Sequence, residues 1–209
     1  MYDIAPPRIR QYLDSELSHL LGKVNPTDLV LELGCGYGRI FPQLATRARW
    51  VVGIDTSAPS LKFAENFLQG MSNVSLSQME AANLGFRENV FDRVVCIQNG
   101  ISAFHVHPRV LISESLRVTR PGGLALFSSY SEKFWKERVG WFELQSQAGL
   151  LGEIDYGKTK EGVIVCKDGF TATTVGRKYF SELTKGLNAD VRIVEVDESS
   201  LFCEISPNE

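Results

Sequence analysis

The chain has 209 residues, 44% hydrophobic and 22% charged, with a formal net charge of −3 and four cysteines. That length fits one α/β domain with room for an insertion, and the acidic balance, with no lysine-arginine cluster, argues against a nucleic-acid partner. No apolar run is long enough to span a bilayer and no signal-peptide pattern is present; Cys35, Cys96, Cys166 and Cys203 form no Cys-x-x-Cys pair. The expectation is a cytoplasmic protein with no membrane contact and buried free thiols.

Residues 8–21 form an amphipathic helix, with Ile9, Tyr12, Leu13, Glu16-Leu17 and Leu20-Leu21 on one face, between Pro6-Pro7 and Gly22. Leu29-Val30-Leu31-Glu32-Leu33 then reads as a buried strand, broken by Gly34, Gly36 and Gly38. Ile40, Phe41, Leu44 and Ala45 recur at helical spacing, so the element is strand, glycine turn and helix. A second strand, Trp50–Ile54, ends at Asp55, and Thr56-Ser57-Ala58-Pro59 opens the next helix. Val74–Ser77, Phe91–Ile97 and Leu124–Ser128 are further strands, and a helix runs through Val110–Val118. Strands alternating with helices predict a doubly wound, mainly parallel sheet, with ligand chemistry at the C-terminal ends of its strands.

The last third departs from this alternation. Residues 131–150 read as a helix rich in aromatics (Phe134, Trp135, Trp141, Phe142), and Asp168-Gly169 marks a hairpin between Val163–Cys166 and Phe170–Thr174. A helix around Tyr179–Leu187 leads to Asp190–Val196 and Leu201–Ile205, an antiparallel pair that closes the sheet. The predicted fold is therefore α/β: a seven-stranded sheet with a C-terminal antiparallel pair, an N-terminal helix, and a helix-plus-hairpin cap. Its expected divisions are a helical cover at 1–27, a cofactor-binding core at 28–129, a cap insertion at 130–176, and the end of the sheet at 177–209.

A glycine-rich strand-helix turn brings bare amides and a helix N-terminus to a ligand, but several ligands use one. The dinucleotide pattern Gly-x-Gly-x-x-Gly fails because Arg39 or Phe41 stands at its last glycine, and no Gly-Lys-Ser/Thr forms a phosphate loop. What remains is an acid, Glu32, two residues before Gly-x-Gly-x-Gly.

Here the chain resembles the class I S-adenosylmethionine-dependent methyltransferases. The resemblance rests on Val30–Arg39, Val52-Gly53-Ile54-Asp55-Thr56-Ser57, Glu80–Phe86, Phe91–Cys96, and Glu114–Gly123, in order and at the family spacing. It covers about residues 28–128 and implies S-adenosyl-L-methionine as cofactor, with S-adenosyl-L-homocysteine as product. Asp55 lies 21 residues after Gly34, near the ~20 that set an acid opposite ribose hydroxyls. Read without the family, it is also the acid before a helix start. The resemblance implies that Glu32 orders the glycine loop and the methionine ammonium, while Gly34 and Gly36, with Cys35 between them, present bare backbone. It also implies that Glu80 and the Ala81 amide meet adenine, with glutamate where the family more often has aspartate, and that Gln98 contacts the methionyl part. Thr56 completes the cofactor set.

The methyl donor is already activated, so a base is needed only for a protonated acceptor. His105, after the fourth strand, is the catalytic candidate, set against a plain loop histidine. His105-x-His107 lacks further ligands nearby, so no metal is expected. The Asp/Asn-Pro-Pro-aromatic motif of base-amino methylation is missing, Gln98-Asn99-Gly100-Ile101 standing in its place, which favours a small-molecule acceptor. A nucleotide-dependent oxidoreductase and a non-catalytic cofactor-binding domain are the rival readings. The aromatics of 131–150 fit either a substrate pocket or cap packing, and the resemblance implies that Tyr2 and Tyr12, with the N-terminal helix, fold over the cofactor.

Overall fold

The computed structural model describes residues 4–160 and 162–208; Tyr2 lies outside them. Nine strands and six helices are named in chain order, all among the described residues: α1 (Pro7–Leu21), β1 (Leu29–Leu33), α2 (Phe41–Leu44), β2 (Trp50–Asp55), α3 (Ala58–Phe67), β3 (Val74–Gln78), β4 (Phe91–Cys96), α4 (Pro108–Val118), β5 (Thr119–Tyr130), α5 (Trp135–Gln147), β6 (Ile164–Val165), β7 (Thr171–Ala172), α6 (Arg177–Thr184), β8 (Ala189–Val196) and β9 (Ser200–Pro207). Seven strands form one sheet in the order β3-β2-β1-β4-β5-β9-β8, and β6-β7 forms a separate ribbon. β1 to β5 are parallel, whereas β9 runs antiparallel to both β5 and β8. This is the predicted mixed sheet.

β1 lies near the middle of the sheet and is apolar on both faces because both are covered. Val30 packs with Leu17, Leu20, Phe41 and Leu44, under α1 and α2. Leu31 and Leu33 face the opposite way, toward Leu111 and Ile112 of α4 and Phe180 of α6. The alternation follows from the two-residue period of a strand. A third cluster joins Ile9, Tyr12 and Leu13 of α1 to Phe134, to Trp141 and Phe142 of α5, and to Ile164 of β6.

Two elements differ from the sequence reading. The helix after the glycine turn is one turn long, Phe41–Leu44, and just past its end the Asn73 side-chain amide donates to the carbonyls of Ala45 (2.9 Å) and Ala48 (3.3 Å). A helix this short contributes little dipole at the glycine turn. β5 begins earlier than the apolar run: Thr119 pairs with Phe91 and Leu124 with Arg93, so Arg120–Gly123 bulges between them. Asp92 anchors this region by accepting from the Leu29 amide at 2.6 Å and pairing with Arg120.

Gly53 of β2 shows how tightly the core is tied to the glycine turn. A Cβ there would lie 2.5 Å from Phe41 Cζ and 2.8 Å from Cys35 Sγ. Gly53→Ala is expected to destabilise the fold by about 1–3 kcal/mol through overpacking. An unchanged urea midpoint would contradict this packing.

Candidate active site at the C-terminal edge of the sheet

The turn after β1 and the end of β2 are joined by one carboxylate. Asp55 Oδ2 accepts from the Gly36 amide and Oδ1 from the Ser57 amide, each at 2.8 Å. The Cys35 amide donates to Ile54 O at 2.9 Å, and the Met79 amide to Asp55 O at 3.1 Å, which brings β3 to the same point. Ser57 caps α3 by accepting from the Ser60 amide. Asp55 is therefore a local anchor, and each carboxylate oxygen keeps a further lone pair. Gly36 has φ +53 and no heavy atom within 4 Å of where its Cβ would stand, so the turn shows open backbone. Gly34 differs, because the Phe104 ring would lie 3.0 Å from its Cβ.

Glu32 ends β1 with only 8% of its surface exposed, and its Oε2 has no hydrogen-bond partner among the described residues. Burial pushes its pKa up to about 8; the nearby Arg39 charge opposes the shift and Asp55 adds to it. Arg39 is half-buried, and its charge acts on both Glu32 and Glu16. Thr56 is exposed, and its carbonyl accepts from Gln78 Nε2 at 3.0 Å. Beyond β3, Ala81 is buried and Glu80 exposed. Cys35 is buried, and burial pushes its thiol well up, so it stays protonated.

Glu16 was not singled out from the sequence. It is completely buried on α1, and its Oε2 accepts from the Gln98 amide at 2.8 Å. Burial raises its pKa to about 7, against the lowering effects of Ser200, Ser128, Gln98 and Arg39. The signal was present: an acid stands within the buried stripe of an amphipathic helix.

Gln98 (φ 57), Asn99 (φ 60) and His105 (φ 53) are left-handed without being glycine, all in the loop after β4. Such strain clusters where a site fixes the backbone. Asn99 is held by donating to Thr173 O (2.9 Å) and accepting from the hydroxyls of Ser129 (2.7 Å) and Ser102 (3.1 Å). The loop, α1, α5 and the β6-β7 ribbon enclose a cavity of about 420 Å³. Its walls include Tyr12, Tyr130, Trp141, Phe142 and Phe170, with Gln98, Asn99, His105 and Gln145 as polar groups. The aromatics of 131–150 thus divide. Trp141 and Phe142 line this cavity as well as packing on α1, whereas Phe134 is wholly buried against Tyr12 and Tyr130. His105 is exposed at the cavity wall, and His107 caps α4 by accepting from the Arg109 amide at 3.3 Å. No cluster of three or more His, Cys, Asp or Glu able to hold a metal occurs among the described residues.

The strand order, the open glycine turn and the bridging acid define a class I methyltransferase fold. Residues 30–123 match the family model described as a methyltransferase domain. The ubiquinone biosynthesis O-methyltransferase of Paraburkholderia phymatum is 30% identical over 132 residues, 62% of this chain and 53% of the relative. The chain spans about half the length of the curated relatives it matches. A protein of Pyrococcus horikoshii superposes with a TM-score of 0.70 at 22% identity, over 99% of this chain and 94% of that one. A protein of Methanosarcina mazei described as a SAM-dependent methyltransferase gives 0.68 at 19%, over 91% and 98%. Over residues 30–123 the chain is similar to the methyltransferase domain family, and its fold is that of the SAM-dependent methyltransferase structures.

The two buried acids make stability depend on pH. Both pKa values are raised above the ordinary 4.5, so the folded state holds protons that the unfolded chain releases. The stability they contribute is complete below about 4.5 and is lost as pH rises through about 7 and 8. The ligand-free protein should therefore melt at progressively lower temperature from pH 5 to pH 8.5. Glu16→Gln and Glu32→Gln should each flatten that slope, and calorimetric melts with an unaltered slope would refute the assignment.

Proposed function

We propose that the chain transfers the methyl group of S-adenosylmethionine to a small-molecule acceptor held in the 420 Å³ cavity. The observation that carries this reading is the Asp55 bridge to Gly36, an acid fixed beside open backbone at the end of β2. The residues suit the cofactor. Asp55 has lone pairs left for ribose hydroxyls, and Glu32 has an unpartnered oxygen suited to a cationic group. Glu80 and Ala81 would hold adenine and Thr56 would assist Asp55 at the ribose. Gly34 and Cys35 belong to the turn that would receive the methionine end, and Gln98 would contact its methionyl part. When bound, the cofactor supplies a methyl group on a sulfonium, ready for displacement.

The protein's own task is to orient the acceptor and exclude water. The N-terminal residues 1–27 act as a helical cover, the core spans 28–129, the cap 130–176 closes the acceptor side, and 177–209 completes the sheet. Tyr12, Trp141 and Phe142 supply apolar walls, while Asn99 ties the loop after β4 to the cap. His105 is the group placed to take a proton from a hydroxyl or amine acceptor. Relatives named for ubiquinone biosynthesis and demethylmenaquinone support a small organic acceptor. Four buried free cysteines support a reducing, cytoplasmic setting, and no helix among the described residues is long and apolar enough to cross a membrane.

Two measurements test this reading. Calorimetry should give binding of S-adenosylmethionine and S-adenosylhomocysteine but not NADH; binding of NADH alone would sink it. Asp55→Ala should weaken S-adenosylhomocysteine at least tenfold, since a charged hydrogen bond is worth ~1.5–3 kcal/mol. In a screen of small acceptors for homocysteine-product release, His105→Ala should lower turnover by about 10²-fold or more with a protonated acceptor. Turnover equal to that of the unaltered protein would make His105 a plain loop residue.

A further inference from the structure

Arg138 of α5 is the largest side chain to be almost wholly buried, with 1% of its surface exposed. Three backbone carbonyls fix its guanidinium: Nη1 donates to Gly162 O at 2.6 Å, and Nη2 to Ala172 O at 3.1 Å and Thr173 O at 3.2 Å. Three rings surround it, with Tyr130, Trp135 and Phe142 centroids at 4.8, 5.7 and 5.5 Å from Cζ. Among the described residues its Nε has no hydrogen-bond partner and no carboxylate forms a salt bridge with it. Carbonyls and π faces orient a guanidinium and soften its burial, but they leave its net charge uncancelled. A buried charge ordinarily has a counter-ion.

The space beside it is suited to one. Arg138 lines a second cavity of about 510 Å³, with Tyr130, Ser131, Trp135 and Thr174 among its walls. Glu132, the carboxylate of that cavity, is exposed and unpaired with Arg138. Tyr130 is a wall of both cavities, and Arg138 lies against Phe142 of the first and Trp135 of the second. The two cavities thus share a wall at Tyr130, and the guanidinium lies against that ring. Burial itself holds the Arg138 pKa below its ordinary value, with only the nearby tyrosines Tyr130 and Tyr12 opposing the shift.

We infer that the acceptor is an organic acid: an apolar, ring-sized body against the aromatic walls and a carboxylate at the Arg138 cavity. This rests on the proposed methyl transfer and names the class of acceptor for it. The cap then does more than exclude water, because its carbonyls at 162, 172 and 173 hold the receptor for the acid.

Benzoate and benzamide are matched probes, equal in shape and different in charge. With the full chain saturated in S-adenosylhomocysteine, titration calorimetry should find benzoate bound at least tenfold more tightly than benzamide. Arg138→Met should remove that preference while leaving S-adenosylhomocysteine affinity unchanged, and Arg138→Lys should retain part of it. Equal binding of the two probes by the unaltered protein, or binding of neither, overturns the inference, and does so even where Arg138→Met fails to fold. Loss of S-adenosylhomocysteine binding in the unaltered protein would instead overturn the methyltransferase reading, so the two failures are distinct.

Discussion

The Asp55 carboxylate is the constraint on which the site depends. It receives the Gly36 amide from the turn after β1 and the Ser57 amide from the start of α3, both at 2.8 Å. A carboxylate accepting from backbone amides makes strong, charge-assisted hydrogen bonds. Without it, the glycine turn would be left with the Cys35 amide's bond to Ile54 O as its tie to β2, and a backbone that visits left-handed conformations at Gly34, Gly36 and Gly38 has little intrinsic stiffness. The same acid thus sets the turn's shape and still keeps a lone pair on each oxygen.

A second constraint sits beside it. Glu32 and Glu16 lie toward the C-terminal edge, one near the end of β1 and one on α1, and the Arg39 charge acts on both. The Gln98 amide bonds Glu16, so the cover is attached at the residue where the fourth strand gives way to its strained loop. Asn99 carries the connection onward to Thr173 of the cap and Ser129 of β5. Cover, loop and cap are therefore linked by polar contacts at two adjacent residues, while the apolar clusters beneath them set their distance.

Much of this was legible in the sequence, for reasons that are local. The continuous apolar run of Leu29–Leu33 requires cover on both faces, and the structure supplies α1 and α2 on one and α4 and α6 on the other. Asp168-Gly169 marked the hairpin, where Gly169 takes φ +95. The length of α2 was not legible, and the Asn73 side chain that bonds the turn just past it comes from the distant segment before β3. Glu16 read as one more position of an amphipathic face, and its burial depends on β4 and β9 arriving from far along the chain. Arg138 was equally silent, since in a helix rich in charged residues nothing local separates a buried arginine from a solvated one.

Those silences share a cause. Sequence pattern reports which residues a segment must hide, and it finds polar residues in the core only where a motif fixes their place, as it does for Glu32 and Asp55. The cap has no such motif: its helix carries Trp135, Arg138, Trp141 and Phe142 among lysines and glutamates, and only the return of the ribbon at 162–173 shows which of them face inward. The glycine turn and Asp55 are written in short-range spacing, within one strand-turn-strand stretch. The surroundings of Arg138 are built from long-range juxtaposition, and a buried guanidinium held by carbonyls of the returning ribbon is visible only once the chain has folded.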